Sequence, residues 1–300
     1  MRKNRDNSSF EPPAFDEQTF FTLKSASSKL PSNLRVIGIL DSQKQNFLAL
    51  SIIDFAQHKI ELAVLPQLRK KGFGAMILRR LQNELGAEFS EFSFWAHGDL
   101  PGSRELAKLV GLEAYRKLLV LEKDLLAKNS PLENLPLEHL IPGNSTLKAE
   151  GFSLQDFVIR PIKVSETAEL MALVELNQQA FRNHPEQGKL LRENFVERFA
   201  QTWFDSELLF GVFIESKLRA YLWLKPESAE ELELYVLGIS PHYQGQGLGK
   251  ILTSLAVHTA IARGYKRVIL YVDAENTAAM STYLRAGFVE RERHFAYKLR

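Results

Sequence analysis

The chain has 300 residues, 45% apolar and 25% charged, with 38 basic against 36 acidic side chains and a net charge of +2. That length suits about two domains of ~150 residues, and the balance of charge gives no reason to expect nucleic acid or a membrane surface as partner. There is no cysteine, so disulfides, thiolate metal sites and cysteine nucleophiles are excluded. No apolar run reaches the ~18 residues that span a bilayer. The charged start, Met1 to Pro13, has no apolar segment behind it. It reads as a disordered tail on a cytoplasmic, monomeric protein that needs no metal.

In chain order, the first half has a strand at Ile60 to Val64, a turn opened by Pro66, and the run Arg69-Lys70-Lys71-Gly72-Phe73-Gly74 leading into a helix. Ile77, Leu78, Leu81 and Leu85 form its apolar stripe and Gly86 its stop. Breakers at Asn129-Ser130-Pro131, Pro136 and Ile141-Pro142-Gly143 mark a linker over 129–156. Val158 to Pro161 then reads as a strand and Glu166 to Phe181 as a helix. In the second half, Glu233 to Ile239 is a strand and Pro241 opens the turn. Gln244-Gly245-Gln246-Gly247-Leu248-Gly249 leads into a helix with Ile251, Leu252, Leu255 and Ala262 inward, stopped by Gly264. Arg267 to Asp273 alternates as the next strand. Gly72 and Gly247 lie 175 positions apart, and Gly111 and Gly287 lie 176 apart. Two landmarks that keep their spacing this closely indicate a duplication.

At the start of a helix several backbone N–H groups lack intrahelical partners, and the macrodipole adds partial positive charge. Glycine there admits a ligand close to the backbone, so each turn is a candidate pyrophosphate cradle. The Walker lysine and Ser/Thr pair is absent, and the glycines are not spaced as in a dinucleotide fingerprint. Taken alone, the turn is also compatible with a simple helix cap.

The pattern [Gln/Arg]-x-x-Gly-x-Gly after a strand, followed by Asn276 to Phe288 with its Ala-Gly-Phe end, resembles the GCN5-related N-acetyltransferase (GNAT) family. The resemblance implies a mixed α/β fold: two tandem domains over 14–128 and 157–300, each a twisted mixed sheet flanked by helices. It also implies acetyl-CoA as acetyl donor, with Tyr283 protonating the thioester sulfur and Glu233 receiving the amine proton. Asn276, Met280 and Tyr283, at i, i+4 and i+7, are expected on one helix face. Four residues before the marker glycines the copies have Tyr283 and Ala107. Eight before the strand-ending prolines they have Glu233 and His58. The first domain is therefore expected to bind acetyl-CoA without catalysing, with Lys70 and Lys71 adding charge to its turn. An empty scaffold remains the alternative.

A closer resemblance rests on His184-Pro185-Glu186-Gln187-Gly188, Trp203-Phe204-Asp205, Phe94-Trp95-Ala96-His97-Gly98 and Glu233-Leu234-Tyr235-Val236-Leu237-Gly238. These segments are similar to the mycothiol synthase family of tandem GNAT enzymes, which acetylate the cysteinyl amine of cysteinyl-glucosaminyl-inositol. The resemblance implies substrate contacts at Glu17, Glu186, Lys225, Glu233 and Tyr271. It implies acetyl-CoA contacts at Leu237, Gly238, Ile239, Gln244, Gly245, Gln246, Gly247, Leu248, Gly249 and Lys250, and at Asn276, Thr277, Ala278, Ala279, Met280 and Ser281. In the first domain it implies Leu62, Ala63, Val64, Lys70, Lys71, Gly72, Phe73, Gly74 and Ala75. Leu224 departs from a position that is more polar in that family. His97 and His184 read as structural donors, with no acidic partner or metal spacing expected to accompany them. Another amine acetyltransferase and a non-catalytic acyl-CoA sensor are the alternatives.

Overall fold

The computed structural model describes residues 30–43, 45–126, 157–184 and 187–300, together with Phe15 and Thr19. The expected tail and the expected linker lie outside these residues. The chain divides into two compact units. The first holds Met1–Leu119, Asp273–Glu275 and Glu292–Arg300, and the second holds Val120–Val272 and Asn276–Arg291. These units differ from a simple division at the linker, and strand pairing is the reason.

In the first unit, β1 (Leu34–Leu40), β2 (Phe47–Asp54) and β3 (Lys59–Val64) form an antiparallel meander, and β3 pairs in parallel with β4 (Ser93–Ala96). Phe295 to Tyr297, from the last strand β11 (Val289–Leu299), pair antiparallel with Phe94 to Ala96, which assigns the chain's end to this unit. Helix α1 (Phe73–Leu85) buries Ile77, Leu78, Leu81 and Leu85, the full stripe read from the sequence. They pack with Ile53, Ile60, Phe89 and Phe94. Helix α2 (Pro101–Leu109) and strand β5 (Leu112–Asp124) follow, and Gly86 ends α1 at φ 55°.

In the second unit, β6 (Phe157–Pro161), β7 (Leu209–Ile214), β8 (Lys217–Pro226) and β9 (Glu231–Ile239) are antiparallel neighbours in that order, and β9 pairs in parallel with β10 (Arg267–Asp273). Leu125, just past β5, donates its N–H to the Lys266 carbonyl at 2.9 Å, so the end of β5 belongs here. Helices α3 (Thr167–Ala180) and α4 (Arg192–Phe199) cover one face, packing Leu173 and Phe195 against Tyr221, Trp223 and Val236. Helix α5 (Leu248–Ala262) follows the glycine turn, and α6 (Thr277–Arg285) follows β10. Ile251, Leu252 and Leu255 are buried as expected, but Ala262 is exposed and Ala260 points inward instead. The helix loses its inward stripe in its last turn, where Arg263 caps it and Gly264 takes φ 80°. Among the described residues no helix is long and apolar enough to cross a membrane.

Candidate active site

The two glycine turns share a backbone conformation. Gly72 and Gly247 stand at the N-caps of α1 and α5 with φ 87° and 88°. Two residues earlier, Lys70 (φ 59°) and Gly245 (φ 73°) are left-handed as well. The first residue of each turn ties back to the end of the preceding strand: Arg69 Nε donates to the Val64 carbonyl at 3.3 Å, and Gln244 Nε2 to the Ile239 carbonyl at 3.1 Å. A Cβ placed on Gly72 or Gly245 would meet nothing within 4 Å. The space above each turn is therefore open, while the leading helix N–H groups face it without intrahelical partners. Such a turn suits an anion of pyrophosphate kind. At Gly249 a Cβ would lie 3.7 Å from both Ile239 Cδ1 and Thr282 Cγ2, so the turn, the end of β9 and α6 converge.

Strand β9 is built differently from β3. Trp223 pairs with Val236 and Leu224 with Leu234, which leaves Tyr235 as an extra residue, a β-bulge. The β2–β3 ladder runs through without one. In both units the parallel ladder is short. It runs from Glu231 to Glu233 against β10, and from Lys59 to Glu61 against β4. Beyond those acids the central strands continue outside the parallel ladder, so Leu237 to Ile239 and Leu62 to Val64 sit where the paired strands have parted.

At the end of the second unit's ladder lies a buried charged group. Glu233 pairs across the sheet with Lys225, and Lys225 Nζ is 3.5 Å from Glu233 Oε2 and 2.7 Å from Glu227 Oε2. Both Lys225 and Glu233 are buried. The ammonium also lies 5.5 Å from the Trp203 ring and 5.7 Å from Tyr235, within cation–π range. Arg198 Nε holds the Tyr235 hydroxyl at 3.2 Å. Trp203, Phe204 and Phe195 pack around Trp223 at 5.7–6.2 Å. The Trp-Phe-Asp segment thus supplies the wall of this group, and Asp205 caps the following turn by accepting from Glu207 N–H at 2.9 Å.

Tyr283, near the end of α6, is buried, and that burial pushes its phenol well above the ordinary range, so it keeps its proton at neutral pH. Asn276 is not on the helix face with Met280 and Tyr283. It is the N-cap of α6, and its side chain accepts the Ala279 N–H at 3.2 Å, a role that short amides favour over a helical position. Tyr271 is exposed, on the same side of β10 as Ile269, the residue paired with Glu233. Glu17 and Glu186 lie outside the described residues. Gln187 is tied to α3 by Asn177, whose Nδ2 donates to the Gln187 carbonyl at 2.7 Å, and the Gln187 N–H donates to His184 Nδ1 at 3.1 Å.

In the first unit the residue eight before Pro66 does not lie at the end of the parallel ladder. His58 is a half-exposed residue of the β2–β3 turn with φ 48°, 3.6 Å from Glu91. The acid at the end of the parallel ladder is Glu61, because β3 has no bulge and is shorter than β9. Its Oε1 meets His97 Nε2 at 2.6 Å, Thr19 Oγ1 donates to its other oxygen, and Lys59 Nζ is 3.4 Å away. Burial alone would raise this carboxyl, but His97, Lys59 and Thr19 together hold it at about 2. His97 therefore has an acidic partner after all, 36 residues away in sequence and out of reach of any local motif. Ala107, the counterpart of Tyr283, is packed in the apolar core. No cluster suited to a metal ion occurs among the described residues.

The Acetyltransferase (GNAT) family matches residues 170–288. The fold is that of a GCN5-related N-acetyltransferase from Sphaerobacter thermophilus (TM-score 0.60, 15% identity, 91% of this chain and 98% of that one). It is also that of a tandem GNAT protein from the clavulanic acid biosynthesis pathway (TM-score 0.59, 12% identity, 89% and 83%). With the turn and the parted strands, this places the protein among acetyl-CoA-dependent N-acetyltransferases of the GNAT class. The chain is 36% identical to a mycothiol acetyltransferase of Beutenbergia cavernae, over 79% of this chain and 75% of that one. It is 35% identical to one of Streptomyces coelicolor, over 79% and 70%. The chain belongs to the mycothiol acetyltransferase family.

Proposed function

We propose that the second unit acetylates the cysteinyl amine of cysteinyl-glucosaminyl-inositol, the last step of mycothiol formation. The observation that carries this reading is the buried acid at the end of the β9–β10 ladder, with a protonated buried tyrosine on the helix after β10. Gln244 to Lys250 would hold the pyrophosphate of acetyl-CoA. The strand end Leu237 to Ile239 and the helix start Asn276 to Ser281 would lie along its pantetheine arm. Acetyl-CoA supplies an activated acetyl thioester. Glu233 removes the proton that the ammonium must lose before it can attack, and Tyr283 delivers a proton to the departing sulfur. Lys225, Tyr271, Glu186 and Glu17 contact the acceptor, and their remote contacts orient the amine. The first unit binds acetyl-CoA at Leu62 to Val64 and Lys70 to Ala75 but does not transfer it, since Ala107 offers no proton.

The test is steady-state acetylation of the conjugate against free cysteine. The conjugate's kcat/KM should exceed that of cysteine by at least ~10²-fold, with part of the gain in kcat, because remote binding energy is spent on orientation. A ratio near one would leave an acetyltransferase of some other small amine.

A further inference from the structure

The turn that joins β8 to β9 puts a second carboxylate beside Lys225. Glu227 is the first residue after β8, and its N–H donates to the Glu231 carbonyl at 3.0 Å, as does that of Ser228 at 3.2 Å. The start of the turn is thereby pinned to the strand opposite. From this anchored backbone Glu227 reaches Lys225 at 2.7 Å, closer than the 3.5 Å of Glu233. The lysine side chain is 3% exposed and that of Glu227 is 40% exposed, so a rim residue makes the shorter bond to an interior ammonium. Glu231 is not part of this group, because Arg267 and Arg291 hold it at 3.0 and 2.9 Å.

Charge arithmetic decides what such a group attracts. Lys225 and Glu233 alone would neutralise each other, and a cationic acceptor would have to break that pair to reach the acid. Adding Glu227 leaves one negative charge in excess. It also spends the lysine's shorter hydrogen bond on the rim, in surroundings walled by Trp203 and Tyr235 where charge interactions exceed those in water. We propose that Glu227 is a positioning residue that draws Lys225 towards the rim, leaving Glu233 the longer contact of 3.5 Å, and so tunes the site to a cationic primary amine. Lys225 stands at the end of β8 next to Pro226 and Glu227 opens the turn that follows, in a different part of the chain from the Asn276–Ser281 and Gln244–Lys250 segments, so the effect is expected on the acceptor. This inference rests on the acetyltransferase reading above.

The experiment compares the full-length protein with Glu227→Gln and Glu227→Asp, using cysteinyl-glucosaminyl-inositol as acceptor. The Gln variant should raise the acceptor KM by about ten- to a hundredfold, the usual worth of a charge-assisted bond. Its kcat should stay within about threefold, and the KM for acetyl-CoA and the melting temperature should be unchanged. The Asp variant should recover most of the loss, and added salt should narrow the gap between the Gln variant and the parent. An unchanged acceptor KM in the Gln variant overturns the inference and leaves the function standing. So does a parallel loss in kcat, both KM values and melting temperature, which would mark a merely structural residue. A parent protein that does not turn over the conjugate overturns the proposed function, and this inference with it.

Discussion

Glu61 and Glu233 hold the same place in their two units: each is the last residue of its central strand in the parallel ladder, with a lysine ammonium 3.4 or 3.5 Å away. Their surroundings differ. Glu61 is enclosed by Thr19, His97 and Lys59, whereas Glu233 shares its lysine with a carboxylate at the rim. Glu61→Gln should therefore cost stability, up to about 3–5 kcal/mol as for a broken buried charge network, with little change in acetyl transfer per folded molecule. Glu233→Gln should do the reverse, lowering kcat by about 10²–10⁴-fold. Urea unfolding and steady-state rates on both variants check the contrast.

Tyr283→Phe should keep the affinity for acetyl-CoA within a few fold and lower kcat by about 10²–10⁴-fold, the usual worth of a general acid. The phenol is buried beside Phe288, with ring centroids 5.9 Å apart, so the ring of phenylalanine fits the same space. Calorimetric titration with acetyl-CoA and single-turnover kinetics separate the two quantities. An unchanged chemical rate would remove Tyr283 from the mechanism.

The glycine turns predict a second asymmetry. Gly247→Val forces a β-branched residue to φ 88°, a conformation that costs such residues at least about 1–2 kcal/mol, and puts methyl groups where the anion would lie. Turnover should be abolished. Gly72→Val should leave turnover largely intact while removing acetyl-CoA bound by the first unit, measurable as a fall in binding stoichiometry. Equal loss of activity in two folded variants would make the first unit catalytic.

Stability should fall in acid in two stages. His294 is buried and stands beside His97, which together hold it at about 4, below the ordinary 6.5. The unfolded chain therefore takes up this proton first, and stability is lost as the pH falls from about 6.5 to 4. Glu61, held at about 2 against an ordinary 4.5, contributes stability above about pH 4.5 that is lost as the pH falls towards 2. Denaturant midpoints across pH 3 to 8 should show the first stage, and His294→Gln should flatten it while leaving the second. A midpoint independent of pH between 6.5 and 4 would contradict the assignment.

The sequence by itself determined the duplication, the two glycine turns and the helices behind them, because local chemistry enforces each. An apolar stripe at helical spacing buries itself, and a glycine at a helix start tolerates a left-handed φ. Lys70 shows how strongly the second copy's pattern is preserved, since it adopts Gly245's conformation at a cost glycine would not have borne. Glu233 and Tyr283 are singled out through the family resemblance that the second turn and the Ala-Gly-Phe end carry, and their catalytic roles stand as proposals. What only the tertiary structure decided depends on pairing across the sheet. Strand β9 runs six residues past its ladder, one of them the bulge at Tyr235, and β3 runs three past its own, so the residue eight before Pro66 is His58 while the acid in the equivalent ladder position is Glu61. The bonds of Glu61 to His97, of Lys225 to Glu233, and of Phe295 to Tyr297 with β4 join residues by strand register, and register is a property of two strands that neither one's sequence contains.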